Sequence, residues 1–205
     1  NLNFNIKFMG IIRCSWCGND PLYISYHDEE WGVPLYDDQA LFECLILETF
    51  QAGLSWITVL KKRKNFRDAF DHFDYHKIAT YDEKKIESLL QNSGIIRNKL
   101  KILSAISNAK YFIEIQNEFG SFRKYIWGFV NENSIKNNFK TTSEYPVKTS
   151  LSETISKDLK NRGFKFVGAT VVYAFMQAIG IVNNHVESCF RYLDIPNSKS
   201  ISGDL

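Results

Sequence analysis

The sequence predicts an all-α protein of about eight helices, and three observations support this fold class. Apolar residues recur at the three- and four-residue spacing of an amphipathic helix, as in Ile102, Ala105, Ile106 and Ala109. Strand-like alternation of apolar and polar residues is scarce by comparison. Several apolar runs also follow a residue type that commonly caps a helix, such as Ser121.

The first long helix carries an acid on its apolar face. Asp37 or Asp38 can cap this helix, and Leu41, Leu45 and Glu48 then share one side of it. Because the neighbours of Glu48 on that side are apolar, the pattern predicts that its carboxylate faces the interior.

Capping residues and turn glycines predict where the next helices begin and end. Ser55 can cap a second helix, Thr80 with Glu83 forms a predicted capping box, and Gly94 breaks the helix that follows. The polar segment 131–145 predicts an extended surface connection.

Two further predictions concern the C-terminal third. Ser150 with Glu153 is a second predicted capping box. A last short helix is predicted to contain His185 and Cys189 one turn apart.

Composition favours one helical unit that remains in the cytoplasm. The chain has 205 residues, 44% of them hydrophobic, and a net charge of only +2. It shows neither a run of about 18 apolar residues nor a signal-peptide pattern, so we expect no membrane partner. We predict a monomer with a single unit at residues 11–192, built of two closely packed lobes with a pocket between them. Residues 1–10 and 193–205 are expected to be peripheral tails.

Positive charge is concentrated locally in spite of the small net charge. Three basic clusters lie at 61–64, at Arg97 with Lys99 and Lys101, and at 160–165. Solvated helix faces explain many such clusters. The second cluster follows the glycine turn at Gly94, where backbone amides and lysines suit a phosphate, although an ordinary turn between helices is the commoner explanation.

Cysteine and histidine positions suggest a metal site. His185 and Cys189 have the spacing of two ligands of one zinc ion, and Cys14 and Cys17 form a C-x-x-C pair. His27 is a further candidate near the N-terminus. Two sets of four ligands therefore remain open: His185 and Cys189 with Cys14 and Cys17, or His185 and Cys189 with Cys14 and His27. Unlinked core thiols and a surface histidine are the alternative explanation. A site with four protein ligands would be structural, because no position is left for a substrate.

Aromatic residues surround the inward-facing acid Glu48. Glutamate is rarely buried without a partner, so it either forms a structural pair or accepts a hydrogen bond from a ligand. Aromatic faces and a carboxylate both attract cations. The second interpretation predicts a pocket for a flat, positively charged molecule enclosed by Tyr26, Trp16 and Trp56.

Several motifs between residues 13 and 189 are specific enough to indicate a family. They read DPLYI at 20–24, YHD at 26–28, EWGVP at 30–34, QAGLSWITVLK at 51–61, GIIR at 94–97 and RGFKFVG at 162–168. Together with Glu48 they resemble the DNA-3-methyladenine glycosylase I family, bacterial base-excision repair enzymes of the helix-hairpin-helix superfamily. The resemblance implies a helix-hairpin-helix glycosylase fold in which a structural zinc ion ties the N- and C-terminal segments together.

The resemblance also assigns residues to the zinc site and the base pocket. It implies the ligand set Cys14, His27, His185 and Cys189, and it leaves Cys17 as a nearby spare thiol. The implied base-binding residues are Glu48, Tyr26 and Trp56, supported by Trp16, Tyr23 and Trp31.

Two further segments are implied to bind DNA. Gly53 and Leu54 match the segment that wedges into the gap left by a flipped nucleotide. Gly94 and its neighbours Ile95, Arg97 and Lys99 match the hairpin that grips the DNA backbone.

The implied activity is excision of 3-methyladenine from alkylated double-stranded DNA by a monofunctional N-glycosyl hydrolase. Glu48 is expected to recognise the charged base first and to act as a general base second. Many members of the superfamily place a catalytic aspartate after the hairpin, whereas residues 108–116 contain none and Glu114 lies on a polar helix side. The alternative from another class is a non-catalytic, zinc-containing helical module that binds distorted or alkylated DNA.

Overall fold

Ten α-helices account for most of residues 10–194, which are the residues described in this computed structural model. The helices are α1 Pro21–Glu29, α2 Asp38–Gln51, α3 Trp56–Ala69, α4 Tyr75–Ile78, α5 Glu83–Gln91, α6 Lys99–Phe119, α7 Phe122–Gly128, α8 Ser150–Asn161, α9 Ala169–Ala178 and α10 Arg191–Asp194. The prediction of a mostly helical protein is therefore confirmed. None of the described helices is long and apolar enough to cross a membrane.

Two short strands depart from the all-α prediction. Strands β1, Ile135–Lys136, and β2, Val182–Asn183, pair in parallel with Ile135 opposite Val182. β1 lies in the polar segment 131–145, so that segment is fixed to the C-terminal part of the chain rather than crossing the surface freely. Single 3-10 turns add to the helices at Ser15–Cys17, Asp71–Phe73 and Thr142–Glu144.

Two helix starts agree with the predicted caps. Asp37 accepts a hydrogen bond from the amide of Ala40 and caps α2, and Ser121 accepts one from the amide of Lys124 and caps α7. Ser55 occupies the cap position of α3, but its hydroxyl bonds to that of Thr58 instead of a backbone amide.

Both predicted capping boxes were wrong by one or two residues. Asp82, not Thr80, caps α5 by accepting from the amide of Lys85 at 2.8 Å, while the hydroxyl of Thr80 donates to the carbonyl of Lys77. Thr149 caps α8 and forms a reciprocal box with Ser152, in place of the predicted Ser150 with Glu153.

The predicted helix through His185 and Cys189 was also wrong. Both residues lie in the loop between β2 and α10. The side chain of Asn183 accepts a hydrogen bond from the amide of His185 at 3.0 Å, and Tyr145 donates to the carbonyl of Asn184. These side-chain bonds replace the backbone bonds that a helix would have formed.

Helix α2 lies at the centre of the packing. It contacts α3, α6, α7 and α9, and eight of its residues are buried, from Leu41 to Phe50. Because it is surrounded on several sides, a polar residue in its second half is shielded from bulk water. This position explains the burial of Glu48.

Residues 1–9 and 195–205, the greater part of the two predicted tails, lie outside the described residues. The division of the central unit into two lobes, the monomeric state and the cytoplasmic location stay predictions.

Candidate active site and metal-ligating cluster

Glu48 is a buried acid whose carboxylate is incompletely paired. Its side chain is on the inner face of α2, and the residue is only 3% exposed. The atom Oε2 is buried and has no hydrogen-bond partner within the described chain. Burial raises the pKa of Glu48 from 4.5 to about 8, since removing the carboxylate from water penalises its charged form.

A cavity of about 320 Å³ opens beside Glu48. Its lining residues are Trp16, Tyr23, Tyr26, Trp31, Glu48, Gln51, Trp56, Thr142, Tyr145, Ala174 and Gln177. The structure therefore brings all six residues predicted for the base pocket to one cavity, although their separate roles stay predictions.

The aromatic rings form a continuous wall. Trp16 lies 5.0 Å from Tyr23 and 4.8 Å from Trp31, measured between ring centroids, and Tyr26 lies 5.4 Å from Trp56. The indole N–H groups of Trp16 and Trp56 are buried without a partner in the described chain. The lining residues thus hold two unused donors and one unused acceptor, an arrangement that suits a flat polar ligand.

Sequence reasoning did not identify five lining residues of this cavity. Gln51 lies three residues after Glu48 on α2, so helical spacing could have identified it. Thr142 and Tyr145 belong to the polar segment after β1, and Ala174 and Gln177 belong to α9. No local pattern in these two segments indicates a pocket, because their contribution depends on tertiary packing.

A second group of side chains lies next to this pocket. The potential ligand atoms of Cys14, His27, His185 and Cys189 all lie within 4.8 Å of one another, and all four residues are buried. Cys189 Sγ is 3.5 Å from His27 Nε2 and 3.4 Å from His185 Nδ1. Cys17 is outside this group, since its thiol donates to the carbonyl of Cys14 at 3.2 Å. The chain geometry therefore assembles the ligand set with His27 rather than the one with Cys17.

Hydrogen bonds orient both histidines toward the cluster. His27 Nδ1 is 2.7 Å from Asp28, and His185 Nε2 is 3.0 Å from the carbonyl oxygen of Trp31. Burial alone would raise the pKa of Asp28, but hydrogen bonds from Arg13 and His27 outweigh burial and lower it. Asp28 is therefore an ionised partner for His27, as found for histidines that ligate metals.

The two thiols of the cluster share a proton unequally. The pKa of Cys189 is lowered, first by its hydrogen bond with Cys14 and further by His185 and His27. The same contact with Cys189 raises the pKa of Cys14. The protein alone thus favours a thiolate at Cys189, the ionic form that a metal binds.

The predicted wedge occupies the turn between α2 and α3. Gly53 has a φ of +84°, a left-handed conformation that favours glycine, and Leu54 is 42% exposed. The amide of Leu54 donates to the carbonyl of Gln51 and closes the turn. An apolar side chain is therefore held outside the core, beside the helix that carries Glu48.

The turn predicted to bind the DNA backbone is only partly available for that role. The amide of Gly94 donates to Asn92 Oδ1 at 2.8 Å, and a Cβ at Gly94 would lie 3.0 Å from that oxygen. Ile95 is 3% exposed, so its side chain belongs to the core. Arg97 and Lys99 are exposed and remain candidates for phosphate contacts.

Each predicted basic cluster also contains a side chain with another role. Arg63 pairs with Glu30 at 2.5 Å, and Arg162 pairs with Glu118 at 2.6 Å. Lys101 is buried and donates to backbone carbonyls.

The fold and the site together define a helical protein with a buried acid in an aromatic pocket, next to a cluster of cysteine and histidine side chains. Residues 16–192 match the methyladenine glycosylase family, and the chain belongs to this family.

Individual relatives agree with the family match. DNA-3-methyladenine glycosylase 1 of Escherichia coli strain K12 is 51% identical over 180 residues, which cover 88% of this chain and 96% of the relative. A crystal structure of 3-methyladenine DNA glycosylase I has a TM-score of 0.85 and 49% identity, covering 87% of this chain and 98% of the other. A variant of such an enzyme, solved in complex with 3-methyladenine, has a TM-score of 0.85 and 34% identity, covering 90% and 98% of the two chains.

Proposed function

We propose that this protein is a DNA repair glycosylase that excises 3-methyladenine from alkylated duplex DNA and leaves an abasic site. Its family and its relatives named as DNA-3-methyladenine glycosylases support this function. The observation that carries the proposal is the incompletely paired carboxylate of Glu48 at the aromatic pocket.

Recognition of the lesion follows from its charge. Methylation at N3 makes adenine cationic while it is attached to the sugar, so the base is attracted by a carboxylate and by aromatic faces. Burial raises the pKa of Glu48 to about 8, so this carboxyl group is mostly protonated at neutral pH before a base binds. A cationic base offsets the cost of ionising Glu48, whereas neutral adenine does not, and this difference gives selectivity.

Hydrogen bonds provide a second basis for selecting the methylated base, in addition to its charge. The free Oε2 of Glu48 can accept from the exocyclic amino group of the base, and the indole N–H groups of Trp16 and Trp56 can donate to ring nitrogens. Buried polar groups left without a partner cost free energy, so a base that bonds to them binds more tightly.

The chemical step needs little acid catalysis. As the bond between the sugar C1′ and the base breaks, its electron pair moves to the base and neutralises the positive charge. Water then attacks the oxocarbenium-like C1′ and releases a proton to the solvent or to a base. Glu48 is the candidate for the base that accepts this proton. Glu114, the other acid considered for this role, is exposed on α6.

Duplex binding is proposed to use the wedge and a helix-hairpin-helix. Extruding a base costs a few kcal/mol, which contacts of Leu54 in the resulting gap would offset. The resemblance implies the hairpin at Gly94, but the amide of Gly94 is used within its own turn. The pair of helices α8 and α9 is the better candidate, because they pack together and are joined by the short connection 162–168. Gly168 precedes α9 without a side-chain cap, and Lys165 is exposed. Both observations support a role for this connection in binding phosphates, in addition to the role proposed for Arg97 and Lys99.

We also propose that Cys14, His27, His185 and Cys189 hold one structural zinc ion. Two thiols and two imidazoles are a common donor set for tetrahedral zinc, and outer hydrogen bonds orient both imidazoles. With all four positions filled by protein, the ion would supply cross-linking of the chain ends and no catalysis.

The function is tested with duplex DNA treated with a methylating agent. Wild-type protein should release free 3-methyladenine, measured by chromatography, and a Glu48→Gln variant should bind the DNA and release far less. Binding without release by the wild type would instead support a non-catalytic DNA-binding module. Equal release by both proteins would exclude Glu48 from the mechanism.

A further inference from the structure

The wedge turn is attached to the beginning of α6 by one buried lysine. Helix α2 ends at Gln51, and its last carbonyl groups have no partners within the helix itself. The ammonium group of Lys101 donates to the carbonyl of Phe50 at 2.9 Å and to that of Ala52 at 2.6 Å. It therefore binds both sides of the point where the helix passes into the wedge turn.

Packing alone does not explain a lysine at this position. Lys101 is 6% exposed, and burial lowers its pKa. A buried charge costs free energy, and an apolar side chain of the same length would fill the space without that cost. What a lysine adds is a fixed, directional link to two carbonyl groups at the negative end of the α2 dipole.

The location of Lys101 connects two parts of the proposed DNA-binding surface. It lies in the first turn of α6, two residues after Lys99, and Asn98 caps this turn by accepting from the amide of Lys101 at 3.1 Å. The exposed Leu54 lies two residues beyond Ala52. A displacement of either element must therefore strain or break the lysine–carbonyl bonds.

We propose that Lys101 is a positioning residue that holds the wedge in place against the DNA stack. The inference rests on the proposed excision function. A side chain that enters a base stack meets resistance, and a helix end held only by its own turn yields to that resistance. Lys101 transfers the load to α6, so it is required for opening duplex DNA but not for binding a free base.

Two substitutions separate this role from simple stabilisation. Lys101→Met keeps most of the side-chain length and removes both hydrogen bonds, whereas Lys101→Arg keeps the charge and the donors. Lys110→Met is the matched control, since Lys110 is exposed on the same helix. Three quantities are measured for each protein: single-turnover release of 3-methyladenine from duplex DNA, release from single-stranded DNA of the same sequence, and the Kd of free 3-methyladenine by tryptophan fluorescence.

We expect Lys101→Met to slow release from duplex DNA by at least about tenfold, the size of a lost charged hydrogen bond. Its release from single strands and its Kd for the free base should stay within about twofold of wild type, and Lys101→Arg should recover part of the duplex rate. The Lys110→Met control should match wild type in all three.

Two results would overturn the inference while leaving the proposed function intact. One is an unchanged duplex rate in Lys101→Met, and the other is an equal loss in all three measurements, which indicates a structural role alone. A wild-type protein that releases no base from either DNA would instead overturn the proposed function, and with it this inference.

Discussion

Replacing Glu48 with glutamine should make the protein more stable at alkaline pH although it removes activity. The folded protein raises the pKa of Glu48 to about 8 from 4.5, so the folded state holds this proton more tightly than the unfolded chain does. Stability from this group is complete below pH 4.5 and is lost as the pH rises through about 8. A neutral amide at this position does not titrate and loses nothing over the same range.

The size of the effect follows from the same two pKa values. One pKa unit corresponds to about 1.36 kcal/mol, so ionising Glu48 in the folded protein costs about 5 kcal/mol in total. Part of this cost has already been incurred at pH 6. Between pH 6 and pH 9 the wild type should lose about 2–3 kcal/mol of unfolding free energy relative to the Glu48→Gln variant.

Urea unfolding of both proteins at pH 6, 7, 8 and 9 measures this difference. Other titrating groups are common to the two proteins, so they cancel when the free energies are subtracted. The reasoning is refuted if the difference stays constant within about 0.5 kcal/mol across the range, because Glu48 would then titrate alike in both states. If the wild type instead became more stable than the variant as the pH rises, the folded protein would stabilise the ionised carboxylate of Glu48.

Three other predictions concern the metal, the wedge and the pH profile. Metal analysis should find about one zinc per chain in wild type and in Cys17→Ala but none in Cys189→Ala, and zinc loss in Cys17→Ala would contradict the ligand set. Leu54→Ala should slow excision from duplex DNA by at least about tenfold, while Val147→Ala, at a more exposed apolar residue outside the pocket, should not; equal rates would remove Leu54 as the wedge. Excision by wild type at low substrate should rise with pH to a plateau above about 8, as Glu48 ionises, and a flat profile would contradict this.

Local patterns were sufficient to predict the mostly helical fold and the inward-facing acid. The phase of Glu48 with Leu41 and Leu45 was sufficient to predict an inward carboxylate, because helical geometry fixes which residues share a face. Helix starts were less accurate, since Thr80 and Asp82 are both good caps and only tertiary packing selects between them. Family resemblance, rather than spacing, chose among the cysteines and histidines.

The remaining site features depend on contacts distant in sequence. Spacing suggested a helix for His185 and Cys189, yet a loop fixed by Asn183 brings them together equally well. Lys101 was grouped with phosphate-binding residues because its neighbours are basic, and only its burial against α2 reveals its carbonyl contacts. Tyr145 contributes to the pocket from a polar segment that has no pattern of its own.

The walls of the base pocket differ in how freely they could be redesigned. Trp16 packs against His27, Tyr26 directly precedes it in the chain, and Tyr145 contacts Cys14. Changing any of these three residues therefore also perturbs the Cys/His cluster. Ala174 and Gln177 belong to α9, outside that cluster. A search for variants with altered lesion preference should therefore begin at α9, where the shape of the cavity can change while the cluster stays intact.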